Sequence, residues 1–279
     1  MVPYSITVAS RIACAAISCL ALAATCGAAA AQEVADKPRL GGAGPGVATP
    51  PEDEKVVEPP KLPEPEGARK LPDPDRVWVD AKRKQVLVDG YVTLREGFLE
   101  MFACKVGTKE HESIVAVRSQ IQTVHAALLA VGAKSGEPVQ YVPEFKPPSG
   151  DEIAIEVRWL DDQGKWQAAR AQEWVLNQRT NKPLKHPWVF AGSSFWKDPE
   201  TGKSYYTAEQ GDFICVSNFT TAMLDLPIPS TQANDGLMFV ANTAKVPPLG
   251  TPVRLVLMPK SDPAQEKPSE NNDGAKPAR

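Results

Sequence analysis

The stretch IAIEVRWL at residues 153–160 places large apolar side chains at every second position, beginning with Ile153. Successive side chains of a β-strand point to opposite faces, so this pattern predicts a strand with one buried face. The polar sequence DDQG at 161–164 follows at once, and a second strand-like segment begins at Trp166. This is the pattern of a β-hairpin, and it indicates an antiparallel sheet at the centre of the fold.

Similar segments extend from Arg76 to Met258, a span about the size of one ordinary domain. All six tryptophans of the chain lie within it. The further predicted strands are 77–79, 85–94, 98–104, 113–117, 166–175, 188–196, 204–207, 213–216, 237–240 and 253–258. We therefore predict one globular domain at 76–258.

One segment has the features of a helix. Ser119 is a suitable N-cap and Gly132 a suitable left-handed stop. The apolar residues at helical spacing between them are Ile121, Val124, Leu128 and Val131. With the strands, this predicts an α+β fold: a mostly antiparallel β core with one main helix at about 119–131, flanked by disordered tails. The core is an antiparallel sheet or barrel-like layers, with the helix against one face.

The N-terminus has the pattern of a secretory signal peptide at 1–31. Arg11 is the only charge before Glu33, residues 12–24 are apolar, and AAA at 29–31 suits the cleaving peptidase. We expect export to the periplasm, the cell envelope or the medium, with no transmembrane span after cleavage. A retained anchor is one alternative. Lipid attachment at Cys26 is another, although the leucine usual in such motifs is missing.

The two regions that flank the domain have the composition of disordered chain. Residues 32–75 contain ten prolines between Pro38 and Pro74 and no aromatic residue, and residues 259–279 are polar and contain proline. Such segments bury too little apolar surface to offset the entropy of ordering. We predict a disordered Pro/Glu-rich linker at 32–75 and a disordered tail at 259–279.

The charge balance argues against a nucleic-acid partner. The chain has 31 basic and 34 acidic residues, and removal of Arg11 with the leader leaves 30 against 34, a net charge of −4. A mildly acidic protein has little electrostatic attraction to phosphate backbones. We expect an unknown envelope ligand or protein as the partner.

Cleavage after residue 31 leaves two of the five cysteines, Cys104 and Cys215. In an oxidising compartment, such a pair suggests a disulfide. Two buried free thiols are the alternative. A zinc site formed by Cys104, His111 and Cys215 is chemically acceptable, but no short C-x-x-C or H-x-x-x-H pair supports it, and we predict no cofactor otherwise.

Aromatic residues crowd a second predicted hairpin and could form a ligand surface. The candidates are Trp188, Trp196, Tyr205 and Tyr206, and we expect Phe195 to share a face with Tyr205 and Trp196 with Tyr206. Packing in the sheet core is the alternative reading of these residues.

Motifs for catalysis are incomplete. His111 is followed by Glu112, but the second histidine of a zinc-protease helix would stand at 115, which is valine. Gly192-Ser193 lacks the G-x-S-x-G frame of a nucleophile elbow. No catalytic residue can be named, and enzymatic activity stays undecided.

Several stretches resemble the YdjY-type domain family of exported bacterial proteins. They are GFLEMFAC at 97–104, KEHES at 109–113, HAALL at 125–129 with Gly132-Ala133, GDFICVSNF at 211–219 and AMLD at 222–225. The resemblance covers about 77–258 and implies an envelope or secreted location, with no activity or site residues to carry over. We expect an exported soluble protein that is a non-enzymatic binding module. The alternative is a metal-binding or thiol-dependent enzyme that uses Cys104, His111 and Cys215.

Overall fold

A computed structural model describes residues 61–72, 74–231 and 236–260. The predicted signal peptide, linker residues 32–60 and tail residues 261–279 lie outside the described residues and stay predictions. Among the described residues, none of the helices has the length and apolar character needed to span a membrane.

The described residues form sixteen strands and one α-helix. The strands are β1 (Arg69–Lys70), β2 (Val77–Asp80), β3 (Gln85–Val92), β4 (Met101–Lys105), β5 (Ser113–Val117), β6 (Glu152–Leu160), β7 (Trp166–Arg170), β8 (Val175–Asn177), β9 (Lys182–Pro183), β10 (Trp188–Phe190), β11 (Phe195–Lys197), β12 (Ser204–Tyr206), β13 (Ile214–Cys215), β14 (Leu224–Asp225), β15 (Phe239–Ala241) and β16 (Pro252–Pro259). The helix is α1 (Ile121–Ala130), and 3₁₀ turns lie at Glu110–Glu112, Ala171–Trp174 and Thr207–Gln210.

The predicted hairpin at the centre of the sequence is present. β6 pairs with β7 in antiparallel register, Leu160 opposite Trp166. Asp161 Oδ1 accepts backbone hydrogen bonds from Gln163 and Lys165 and so fixes the turn between the strands. β7 ends at Arg170, earlier than predicted, because the chain turns into a 3₁₀ helix there.

The main sheet closes on itself. Its strands follow the order β3-β16-β6-β10-β14-β13-β4-β5, and β5 pairs back with β3, so eight strands form a closed barrel. Gly90 lies at the closing pair, opposite Val117. A side-chain carbon at this glycine would stand 2.5 Å from the carbonyl oxygen of Ala116, so only glycine permits the close approach of β3 and β5.

The predicted α+β class is wrong. The fold is mostly β, because the closed barrel buries its core within itself instead of against a helical layer. α1 has only ten residues, and its buried residues join the same core. Two further small sheets lie off the barrel: β11–β12, and β15–β8–β9.

The helix lies within the predicted range, but its predicted N-cap is wrong. α1 begins at Ile121, and Ser119 Oγ accepts a hydrogen bond from the backbone of Arg76 instead of capping the helix. The carboxylate of Asp75 binds the first turn from outside: it accepts from the backbone N–H of Gln120 at 2.8 Å and from Thr123 Oγ1 at 2.6 Å. This long-range contact has no signal in the local sequence.

Aromatic side chains fill the barrel. The Phe102 ring packs between Trp174 and Trp188, with ring centroids 6.4 and 5.6 Å away. The indole N–H of Trp188 donates to the Cys215 carbonyl at 2.7 Å, so the buried nitrogen is satisfied.

Ordered contacts begin before the predicted domain start at Arg76. We call residues 61–68 the strap. Within it Leu62 is buried, and after it β1 pairs with β2. At the other end, β16 continues to Pro259, one residue into the predicted tail, and Lys260 donates to the Glu152 carbonyl.

Candidate functional site

The hairpin of β11 and β12 has a different register from the one expected. Phe195 lies opposite Tyr206, and Trp196 lies opposite Tyr205. The turn sets this register, because Asp198 and Lys203 close it with a backbone hydrogen bond of 2.8 Å. Cross-strand partners share a face of a hairpin, so Trp196 and Tyr205 lie side by side.

The four aromatic candidates divide into two groups. Trp196 and Tyr205 are 53% and 48% exposed, with ring centroids 5.9 Å apart and planes inclined by 30°. Trp188 and Tyr206 are buried in the core and cannot contact a ligand at the surface. Phe195, on the Tyr206 face, is also largely exposed. The structure therefore brings Trp196 and Tyr205 together as an exposed aromatic pair.

Tyr206 fastens the hairpin to the rest of the molecule. Its hydroxyl donates to the Gly192 carbonyl at 3.0 Å and lies 2.8 Å from Nδ1 of His125 on α1. Because the Tyr206 O–H donates to the Gly192 carbonyl, its oxygen acts as the acceptor for an Nδ1–H of His125. The His125 ring also packs edge-on against Phe190, and burial lowers its pKa, which favours the neutral ring.

Hydroxyl groups hold the entry to the hairpin. Ser193 adopts a left-handed backbone conformation (φ 58°), and its hydroxyl donates to the Thr221 carbonyl at 2.6 Å. Ser193 Oγ and Ser194 Oγ both lie 2.9 Å from Thr207 Oγ1. The base of the hairpin is thus fixed by several bonds, while the Trp196–Tyr205 pair faces outward. A pre-ordered aromatic surface binds with a low entropic cost.

Cys104 and Cys215 are buried free thiols in one small apolar cluster. Cys215 pairs with Met101 across β13 and β4, so Cys104 lies three residues further along β4, about 10 Å away along the strand. A disulfide needs α-carbons within about 7 Å, so a bridge requires movement of one of these strands. Burial raises the pKa of both thiols, which keeps them protonated and poorly nucleophilic.

His111 is not brought to these thiols. Its side chain is 76% exposed and lies 3.7 Å from Glu112, whereas both cysteines are fully buried. In the part of the chain that the structure describes, no three His, Cys, Asp or Glu side chains come together as metal ligands. The zinc alternative stays a prediction that metal analysis can test.

A charged cluster beside the cysteines was missed by sequence reasoning. The ammonium group of Lys109 lies 3.0 Å from Asp212, 3.9 Å from Glu100 and 4.0 Å from Glu112. It also stands 4.1 Å above the ring of Phe219, a cation–π contact. These contacts tie the loop before β5 to the barrel.

Two carboxyl groups of this region have raised pKa values. Burial, together with the neighbouring Glu112, raises the pKa of Glu100 to about 7. Burial raises the pKa of Asp225 to about 8, against hydrogen bonds from Asn218 and the backbone of Leu226 that act in the opposite direction. This face of the barrel can therefore take up and release protons near neutral pH.

The missed residues did carry a signal. Glu100, Lys109, Glu112, Asp212 and Asp225 all lie in the stretches on which the family resemblance rests. In isolation, each resembled an ordinary surface charge. Their convergence follows from the parallel pairing of β4 with β5 and the antiparallel pairing of β13 with β4.

Comparison with known proteins gives one match. A family model described as the YdjY domain matches residues 77–258, which is most of the chain, and it confirms the resemblance seen in the sequence. No curated protein and no solved structure matches the chain.

Proposed function

This chain belongs to the YdjY domain family, and on that premise we propose that it is an exported, non-enzymatic binding module of the bacterial cell envelope. The observation that carries the proposal is the exposed pair of Trp196 and Tyr205 on a hairpin whose base is fixed. Large aromatic side chains on a protein surface are typical of binding sites, because they offer much apolar area at low entropic cost.

The pair suits a ligand with flat apolar faces. Pyranose rings have such faces, and hydrogen-bonding groups at their edges. Lys197 and Ser204 form the next cross-strand pair and point to the opposite face of the hairpin, so the aromatic pair itself provides the contact with the ring. We therefore propose an envelope glycan as the ligand, with the sugar ring on the aromatic pair.

The location rests on the predicted signal peptide. Residues 1–31 have the charge, length and small residues of a cleavable leader. N-terminal sequencing of the protein from an envelope fraction should give Gln32 as the first residue. An intact leader, or a lipid on Cys26, would show instead that the protein is anchored to a membrane.

The binding proposal is tested by co-sedimentation with insoluble peptidoglycan, with Trp196→Ala and Tyr205→Ala as variants. We expect each variant to lower the affinity about tenfold, because each removes half of the stacking surface. Phe145→Ala is the matched control: Phe145 is an exposed aromatic outside the hairpin, and its removal should leave binding unchanged. Equal binding by all forms, or no binding by the wild type, would refute the glycan proposal.

The second candidate function is a metal-binding or thiol-dependent enzyme that uses Cys104, His111 and Cys215. Its specific support is that Cys104 and Cys215 belong to the same buried cluster. Elemental analysis of the purified protein and of Cys104→Ser tests it. Stoichiometric zinc that is lost in the variant would support this candidate; a metal-free protein with altered stability alone would refute it.

A further inference from the structure

A cleft of about 480 Å³ lies on the outside of the barrel, away from the aromatic hairpin. The strap forms one wall of it, and residues of β3, β6, β7 and the turn before β3 form the other. Volumes of this size are typical of sites for small ligands.

The strap wall is held firmly. Arg76 and Arg254 share the carboxylate of Asp89, with nitrogen–oxygen distances of 2.6 Å each, and both guanidinium groups lie about 5 Å from the ring of Trp78. Each arginine then donates to a strap carbonyl: Arg76 to Leu62 at 3.0 Å and Arg254 to Pro63 at 2.8 Å. Because these two arginine side chains are largely buried, their hydrogen bonds hold the strap in a fixed position along the cleft.

The opposite wall carries two arginines, each paired with a carboxylate, and an aromatic ring. Arg83 gives one terminal nitrogen to Asp80, and Arg158 gives its Nε to Glu156. A guanidinium group has five N–H donors, so each arginine keeps donors for a ligand. Trp166, which is 44% exposed, lines the same cleft.

Charged groups of both signs line the cleft. Glu64 and Glu66 line the strap side, with Glu64 3.8 Å from Lys70, and Arg83 and Arg158 line the barrel side together with Asp80, the partner of Arg83. The floor between them includes apolar residues, Leu87 and Ala168 among them. A ligand with both charges can use the remaining guanidinium donors on one side and the glutamate oxygens on the other, whereas a purely anionic ligand can use only the first.

We propose that this cleft binds a short peptide that carries both a free carboxylate and a free ammonium group. Arg83 and Arg158 receive the carboxylate, which matches the planar fork of a guanidinium group. Glu64 and Glu66 receive the ammonium group, and small apolar side chains rest on Leu87 and Trp166.

The test is isothermal titration calorimetry of the full protein with trialanine. Two matched probes accompany it: N-acetyl-trialanine, which keeps only the carboxylate, and trialanine amide, which keeps only the ammonium group. We expect saturable binding of trialanine with a Kd of about 1 mM and about tenfold weaker binding of each single-charge probe.

Variants locate the site. Arg158→Gln should weaken trialanine binding about tenfold by removing a charged donor. Arg170→Gln is the matched control, since Arg170 is an exposed arginine on the neighbouring strand, paired with Glu173 and outside the cleft. Absence of saturable heat with wild-type protein, or equal binding by Arg158→Gln, would overturn the proposal. Tight binding of N-acetyl-trialanine alone would also overturn the proposal, because the cleft would then bind a carboxylate without needing the ammonium group.

Discussion

The hydroxyl of Tyr206 lies 2.8 Å from Nδ1 of His125, and this hydrogen bond joins the aromatic hairpin to the single α-helix of the described chain. Tyr206 is buried, while its neighbour Tyr205 faces solvent. The hairpin is thus anchored through Tyr206, while the preceding residue, Tyr205, is exposed beside Trp196.

Tyr206→Phe should lower the free energy of unfolding by about 1–2 kcal/mol, because it leaves His125 and the Gly192 carbonyl without a partner at a buried site. Thermal or urea unfolding measures this. Tyr205→Phe is the control, since its ring is half exposed, and should change stability by less than about 0.5 kcal/mol. Equal effects of the two substitutions would show that the hydroxyl of Tyr206 does not anchor the hairpin.

Stability should fall as the pH rises from near neutral to mildly basic. The pKa of Glu100 is about 7 and that of Asp225 about 8 in the folded protein, both above the usual values of 4.5 and 3.8. Between the usual and the raised pKa, the folded state binds more protons than the unfolded state. The free energy of unfolding therefore decreases through that window, up to about pH 8.

Melting temperatures between about pH 6.5 and about pH 8.5 test this slope, because below that range the lowered pKa of His125 makes stability rise with pH. Glu100→Gln and Asp225→Asn should each flatten it, because neither amide titrates. Hydrogen bonds lower the pKa of Asp80. The stability that this carboxylate contributes is therefore lost only at strongly acidic pH, outside the range of the measurement. A melting temperature that rises with pH across the window would contradict the assignment.

Cys104 and Cys215 should resist alkylation in the native protein and react after unfolding. Both are fully buried, and burial raises the pKa of each thiol. Iodoacetamide labelling followed by peptide mapping measures the extent of alkylation at each cysteine separately. A non-reducing digest that contains a peptide pair linked through these two cysteines would instead establish the disulfide predicted from the sequence.

Asp89→Asn should destabilise the protein by about 3 kcal/mol, since it leaves Arg76 and Arg254 as buried positive charges that share no anion. It should also loosen the strap, which both arginines hold. Chemical unfolding and limited proteolysis near Leu62 measure the two effects. Asp162→Asn, in an exposed turn, is the control. If the two variants unfold alike, the arginines do not depend on Asp89.

Local pattern predicted the strands well where one face is buried. The alternation at 153–160 gave the strand now seen at Glu152–Leu160. The closing pair of β3 with β5 brings Gly90 to Val117, and its neighbour β4 runs parallel to β5. Neither pairing has a local signature, and for this reason the sequence left an antiparallel sheet and barrel-like layers as alternatives and predicted a helix against one face.

The candidate site was only partly predictable for a related reason. Aromatic content located the hairpin, but a shift of one residue in register decides which ring is exposed. The Lys109 cluster draws on segments more than 100 residues apart, from Glu100 to Asp212. Only the assembled barrel brings them together.

We propose that the Trp196–Tyr205 pair binds an envelope glycan. The most direct measurement follows the indole N–H signals of the six tryptophans by NMR while soluble peptidoglycan fragments are added. We predict that the Trp196 signal shifts in a saturable way while those of the buried Trp78, Trp174 and Trp188 stay unchanged. An unchanged Trp196 signal, with or without a shift at Trp166, would contradict the proposed function.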